Sequence, residues 1–338
     1  MGKAFAWGIV GTGAIARQFA ADLSLLPDAR LAAVCSRQRE TATAFRETFR
    51  AEHIHTDFEA LCADPELDAV YIATPNSTHA DYALAAIAAG KPVLVEKPLA
   101  TTSADARRIA KAAKTRGCFA MEAMWTRFLP AIDKAKTLIA EGAVGRIRQI
   151  RGELAYLHRE DPSNRLFRPE LGGGAALDLG VYPVSLALYL LGTPQRMSGS
   201  RTMGQTGVDI RTDLLLEFSD AEAKLACGFD RNGQNRFVIE GDAGVLVLDA
   251  PFLKARRVVR YSPSAYSIVR GMEKGALSKA AFRMPLPGRK GYHLPFPGGG
   301  LQFEAASVMA AVRGGETQNA IMPLADSIAA LETLEAVR

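Results

Sequence analysis

Three short stretches carry residue types and spacings suited to chemistry. The first, Gly11-Thr12-Gly13-Ala14-Ile15-Ala16, is a G-x-G-x-x-A turn between an apolar run and a helical pattern. Its first glycine permits the tight turn and its second lets the backbone approach a pyrophosphate. The small sixth residue lets helix and strand pack closely, and the helix N-terminus favours the anion. About 20 residues further on, dinucleotide sites usually carry an acid for the ribose diol. Here the text is Ser36-Arg37-Gln38-Arg39, with no acid before Glu40. A hydroxyl and a guanidinium suit a 2′-phosphate, so NADP is expected, with NAD possible; the other reading is two surface arginines at a helix start. The second stretch, Thr74-Pro75-Asn76-Ser77-Thr78-His79, follows an apolar run, where Asn76 would meet cofactor amide or ribose groups. His79 is either cofactor-proximal or a helix-start residue. The third, Glu96-Lys97-Pro98, ends another apolar run. Charged residues at a buried strand tip imply use; the alternative is a surface ion pair.

Positioning these stretches requires alternating strands and helices. Strands are expected at Phe5–Val10, Leu31–Cys35, Ala69–Ala73, Pro92–Val95 and Phe119–Met121, with helices at Ala14–Leu25, Arg39–Phe49, Phe58–Ala63, Ser77–Ala89 and Ser103–Arg116. Alternation with buried strands implies a doubly wound parallel sheet, a Rossmann domain over residues 1–122. The pattern then changes. A helix over Leu129–Glu141, a strand over Arg146–Leu154, a Gly172-Gly173-Gly174 turn and a helix over Leu177–Leu191 come first. Strand-like runs Asp213–Phe218, Lys224–Phe229, Arg236–Glu240 and Gly244–Leu248 precede helices Leu301–Arg313 and Leu324–Val337. Residues 123–338 thus read as an α+β domain with a largely antiparallel sheet and helices on one side.

Bulk properties fit this α/β reading. The chain has 338 residues, 48% hydrophobic and 23% charged, enough for two cores. No signal peptide is expected before the first strand, and the longest apolar runs fall short of a membrane span, so a cytoplasmic protein without a membrane partner is expected. Cys35, Cys62, Cys118 and Cys227 are scattered, without C-x-x-C, which fits a reducing compartment. No metal is expected, since His53 and His55 alternate as on a strand but show no third ligand. The net charge is +5, with Lys254, Arg256, Arg257, Arg260, Arg270, Lys274, Lys279, Arg283, Arg289 and Lys290 set against Glu273 alone in one segment. This segment reads as a solvated excursion that lines an anionic cofactor site or covers the pocket, in preference to a nucleic-acid surface.

In combination these motifs resemble the glucose–fructose oxidoreductase/inositol dehydrogenase/MocA family over nearly the whole chain. The resemblance includes Thr74-Pro75-Asn76, Glu96-Lys97-Pro98, Gly174 through Tyr182, and Phe303-Glu304-Ala305 through Met322-Pro323-Leu324. It implies that Lys97 lies beside nicotinamide and substrate. The family signature of Asp followed four residues later by His or Tyr is here Asp178 and Tyr182, a spacing that shares one helix face. With Met121 through Phe128, the text looks most like the dimeric dihydrodiol dehydrogenase and NADP-dependent D-xylose dehydrogenase branch. That branch implies Lys97 and Tyr182 as catalytic pair, Asp178 beside them and Trp125 in the substrate pocket. The branch's usual second phosphate-binding arginine is replaced by Thr41, a place Arg39 would compensate. The implied activity is hydride transfer between nicotinamide and an alcohol or hemiacetal carbon of a sugar, polyol or cyclic diol. Lys97 is expected to lower the pKa of Tyr182 towards neutrality. Alternatives within the family are a non-catalytic cofactor-sensing regulator and an aldose–aldose oxidoreductase with tightly held nucleotide. A homodimer or dimer of dimers is expected through an exposed apolar sheet face at Asp213–Leu248.

Overall fold

A computed structural model describes residues 3–272, 282 and 284–337. The first layer is built from β1 (Phe5–Val10), α1 (Ala14–Leu23), β2 (Ala29–Cys35), α2 (Arg39–Phe49), β3 (His53–His55), α3 (Phe58–Ala63), β4 (Ala69–Ile72), α4 (His79–Ala88), β5 (Val93–Glu96), α5 (Ser103–Arg116) and β6 (Ala120–Ala123). Its six strands run in the order β3-β2-β1-β4-β5-β6 and all pair in parallel. β1, β4, β5 and β6 are buried at every position, the sign of a sheet covered on both faces. The order reverses between β1 and β4. Ligands of such sheets bind outside the strand ends at that point, and the turns after β1, β4 and β5 carry the three chemical stretches. The expected division near residue 122 falls inside β6.

The second sheet follows α6 (Pro130–Ala140). It comprises β7 (Ile147–Ala155), β8 (Arg196–Met203), β9 (Asp209–Glu217), β10 (Glu222–Gly228), β11 (Phe237–Gly241), β12 (Val245–Leu248), β13 (Arg257–Tyr261) and β14 (Arg289–His293). The order is β14-β13-β12-β11-β7-β10-β9-β8. Only β7 and β10 pair in parallel; the rest are antiparallel. β8, β13 and β14 were not expected. β8 is exposed at seven of its eight positions and β14 is polar, so neither shows an apolar alternation. α7 (Val181–Leu191) covers the centre of one face; Gly152 of β7 is glycine where a Cβ would come within 3.1 Å of Pro183.

The expectation of helices on one side needs correcting. α8 (Pro263–Gly271) lies on the opposite face, where Tyr266 and Val269 pack with Val238, Val247, Val259 and Phe282. The apolar part of the outer face is thereby covered by the chain itself. The uncovered part is ion-paired, by Arg211–Asp213 at 2.6 Å, Lys224–Glu222 at 2.7 Å and Arg231–Glu153 at 3.2 Å. An apolar sheet face therefore supplies no argument for a dimer. The membrane expectation also changes in one respect. Pro169–Leu191 is a 23-residue run long and apolar enough to cross a membrane, but it is broken at the 172–174 glycines, is continuously helical only over 175–191, and 72% of its most apolar window is buried inside the fold. Such a segment is accounted for as a core helix.

The last two helices, α9 (Leu301–Arg313) and α10 (Leu324–Glu335), return to the first layer. The backbone N–H groups of Gly299 and Leu301 donate to the buried Asp22 carboxylate of α1 at 2.7 and 2.9 Å. Leu324 and Leu331 of α10 join the core that α4 and α5 cover on one face of the first sheet.

Candidate active site

The turn after β1 has the geometry that a pyrophosphate needs. Gly11 has φ +98°, and a Cβ there would press into the carbonyl oxygen of Ala73. Gly13 opens α1 and has nothing within 4 Å of a hypothetical Cβ. The first N–H groups of α1 are left without helical partners, and Ala16 is fully buried against the sheet. These features fit a dinucleotide. At the end of β2, the Ser36 hydroxyl lies 2.6 Å from that of Thr41, which itself donates to the Gln38 carbonyl at 2.9 Å. Thr41 thus fixes Ser36 instead of supplying a second cation. Arg37 and Arg39 are exposed and form no ion pair among the described residues.

The turn after β4 is committed largely to the protein. Asn76 is buried and its amide donates to the Gly172 carbonyl at 3.0 Å, joining the two domains. Thr74 accepts from the Thr78 hydroxyl at 2.9 Å, and Pro75 is exposed. His79 is wholly buried, with ring nitrogens 2.8 Å from Pro98 O and 2.9 Å from Thr74 O. Burial holds its pKa below the ordinary value despite both carbonyls. At neutral pH one contact is therefore a hydrogen bond and the other a close lone-pair approach. His79 ties the Thr74 turn to the Glu96-Lys97-Pro98 turn and presents no nitrogen to a ligand.

The tip of β5 holds the charged centre. The Lys97 ammonium donates to the Asp178 backbone carbonyl at 2.7 Å and to its carboxylate at 3.1 Å. It also stands 5.0 Å from the centre of the Tyr182 ring. Asp178 lies in a π-helical turn, Ala176–Gly180, that leads into α7. A π turn widens the helix locally and is common at functional sites; here both Asp178 and Tyr182 still face Lys97. The Tyr182 oxygen accepts a 3.1 Å hydrogen bond from the Trp125 indole. Arg165 reaches Asp178 from outside at 3.4 Å. Behind Lys97, Glu96 accepts from Tyr71 and from the Lys97 backbone N–H at 3.1 Å.

Burial and charge compete in this cluster. Burial works against the Lys97 ammonium, but Asp178, Tyr182 and Glu96 outweigh it and raise the pKa. Burial likewise opposes ionised Asp178, yet Lys97 and Arg165 hold it below its usual value. Glu96 is pushed up to about 7 by burial, against the Tyr71 hydrogen bond and Lys97. Tyr182 is pushed up to about 12 by burial. Lys97 and Trp125 do favour its phenolate, but less than burial disfavours it. The expected depression towards neutrality is therefore wrong in net sign: desolvation exceeds the charge effect.

Trp125 is 4% exposed. Its N–H is spent on Tyr182, its ring edge abuts Gly300, and the Lys254 ammonium stands 5.2 Å from the ring centre. It holds the phenol; little of its face is open to a sugar. Arg127 anchors the same turn. It is buried and donates to Ser185 Oγ at 2.9 Å and Ile321 O at 3.0 Å, and pairs with Asp326 at 2.5 Å. Sequence reading gave no role to Arg127, Arg165, Tyr71 or the buried Glu304. The roles of Arg127, Arg165 and Tyr71 depend on partners that only folding brings to them, and the burial of Glu304 was hinted at only by the Phe303-Glu304-Ala305 motif.

Other candidates are brought together without a site. His55 turns to Asp64 at 3.6 Å, so the expected histidine pair gains no third ligand, while His53 joins Glu52 and Glu66 in an exposed cluster. Arg30 already bridges both carboxylates. The described arginines of the basic segment turn to the fold: Arg256 to Gly298 O at 2.9 Å, Arg257 to Asp249 at 2.8 Å, Arg260 to Ala143 O at 3.1 Å, Arg270 to Glu240 at 3.1 Å and Arg289 to Phe282 O at 3.2 Å. Glu273, Lys274, Lys279 and Arg283 lie outside the described residues.

A dinucleotide turn, a buried lysine–aspartate–tyrosine cluster and a second sheet behind them are thus assembled at one switch point. The family models for the NAD-binding Rossmann fold of the Gfo/Idh/MocA oxidoreductases and for their C-terminal domain match residues 5–124 and 132–247. The chain belongs to the Gfo/Idh/MocA family. It is an NAD(P)-dependent oxidoreductase. Trans-1,2-dihydrobenzene-1,2-diol dehydrogenase of Xenopus laevis is 32% identical over 95% of this chain and 93% of its own. The Mus musculus enzyme of the same name is 30% identical, covering 99% and 96%. Levoglucosan dehydrogenase in complex with NADH and levoglucosan shares the fold with a TM-score of 0.85 at 23% identity, over 99% of this chain and 96% of that one.

Proposed function

We propose that this oxidoreductase uses NADP and interconverts a carbonyl with a secondary alcohol or hemiacetal of a sugar, polyol or cyclic diol. The carrying observation is the buried Lys97–Asp178–Tyr182–Trp125 constellation, at the same end of the parallel sheet as the Gly11–Ala16 turn. Gly11, Gly13 and the α1 N-terminus would hold the pyrophosphate, Ser36, Arg37 and Arg39 the 2′-phosphate. The nicotinamide, when bound, supplies or accepts the hydride. Tyr182 keeps its proton throughout the physiological range, because burial pushes its pKa up to about 12. It is therefore set to act as an acid, passing its proton to the carbonyl oxygen as the carbon is reduced. Trp125 then donates to the phenolate left behind, and Lys97 offsets its charge before solvent returns the proton. In oxidation the same proton moves from the substrate hydroxyl to the phenolate, so that direction is favoured by high pH. Asp178 keeps Lys97 charged and in place.

The test is a screen of aldoses, inositols, dihydrodiols and dicarbonyls with NADP(H), followed by absorbance, with Tyr182→Phe as control. We expect turnover of at least one class that falls by a hundredfold or more in the variant, on the order of general acid–base catalysis. Nucleotide binding without turnover of any class would overturn the reading and favour a sensor.

A further inference from the structure

The rim of the site carries unneutralised positive charge. Lys254, in the turn between β12 and β13, is exposed and stands 5.2 Å above the buried Trp125 ring. Among the described residues it has no carboxylate partner, unlike the described arginines of its segment, each of which turns to a protein acceptor. A solvent-exposed cation over an aromatic ring gains only about 0.5–1 kcal/mol, and that contact leaves the ammonium protons free. Arg165 is 57% exposed and touches Asp178 at 3.4 Å. Asp178 already serves Lys97. Lys97 and Arg165 thus share the Asp178 carboxylate, Lys254 stands over the Trp125 ring that holds the Tyr182 phenol, and Arg165 and Lys254 are exposed. Exposed charges of one sign near a site draw ligands of the other.

We propose that the substrate carries an anionic group, a carboxylate or a phosphate, received by Lys254 and Arg165 at the mouth of the site. This deepens the sugar or polyol reading above and rests on it. The anion docks at the rim while its reacting carbon lies inward beside Tyr182. The two cations also steer a charged substrate in preference to a neutral one of the same shape.

Calorimetric titration of the NADP-saturated protein tests this without requiring turnover. The probes are D-glucose, D-glucuronate and D-glucose 6-phosphate, so that carboxylate and phosphate are separated. One anionic sugar should bind about tenfold tighter than D-glucose at low salt, the order of one charge-assisted contact. The advantage should shrink as salt is raised. Lys254→Met and Arg165→Met should each remove most of it; both side chains are exposed, so folding is not at issue. Equal affinity for the three sugars, no binding of either anionic sugar at millimolar concentration, or an advantage retained in both variants would overturn the proposal. An equal loss of NADP affinity in Lys254→Met would also overturn it, since the cation would then serve the nucleotide phosphates. Failure of the oxidoreductase reading shows differently, as tight anionic binding with no alcohol or carbonyl turned over.

Discussion

The indole N–H of Trp125 donates to the phenol oxygen of Tyr182 across 3.1 Å, and both residues are buried. A donor fixed on the phenol oxygen stabilises the phenolate more than the phenol and orients the one O–H left for the substrate. Trp125→Phe keeps an aromatic ring and removes the donor. Turnover should fall roughly threefold to tenfold, the worth of one hydrogen bond. The oxidation rate should fall by that factor at every pH below the ionisation, with an unchanged slope. A variant that lost substrate affinity alone would show Trp125 to be a binding surface.

Because Tyr182 is pushed up to about 12, the logarithm of the oxidation rate should climb with pH through neutrality to beyond pH 10 without levelling. Tyr182→Phe should abolish that slope. Lys97→Met should keep the slope and lower the rate a hundredfold or more, because the cation favouring phenolate is gone. Were Lys97 the base, Tyr182→Phe would retain the slope and lower only the level. A pair of pH–rate curves separates the two.

The first layer was legible because its signals are local. Buried strands such as Val93–Glu96 and the turn at Gly11 need only a few adjacent residues to be recognised. The helix starting at Arg39 and the one from Ser103 to Arg116 were read to the residue. β8 and β14 were not, since an exposed edge strand needs no apolar face. Within the site, Lys97, Asp178 and Tyr182 were named from motifs, but the sign of the Tyr182 shift was not readable. That sign depends on how much protein surrounds the ring, which no spacing records. The same holds for Arg165 and Lys254, which acquire meaning only once Asp178 and Trp125 are folded against them.

Nucleotide preference should follow from the end of β2. With no acid at that tip and Arg37 exposed there, a 2′-phosphate meets a guanidinium without a competing carboxylate. Arg37→Ala should raise the Michaelis constant for NADP more than tenfold, given about 1.5–3 kcal/mol for an ordered charge-assisted contact, and that for NAD only slightly. Equal changes for both nucleotides would remove the 2′-phosphate assignment.

Glu304 offers a prediction about stability. It is wholly buried on α9, and neither carboxylate oxygen has a partner among the described residues. Burial, reinforced by Glu96, Asp22 and Glu122, holds its pKa well above the ordinary 4.5. The folded protein therefore keeps this proton where the unfolded chain releases it. Stability from the protonated group is complete below about pH 4.5 and is lost as pH rises towards the raised value, at about 1.4 kcal/mol per unit. Glu304→Gln has nearly the same shape and nothing to ionise. Its melting temperature relative to wild type should therefore rise between pH 5 and pH 8, at about 2–4 °C per kcal/mol for a domain of 150–250 residues. Glu96, pushed up to about 7 by burial, acts with the same sign over a narrower window and is present in both proteins. A melting difference that stays constant from pH 5 to pH 8 would mean that Glu304 titrates normally and is hydrated in solution.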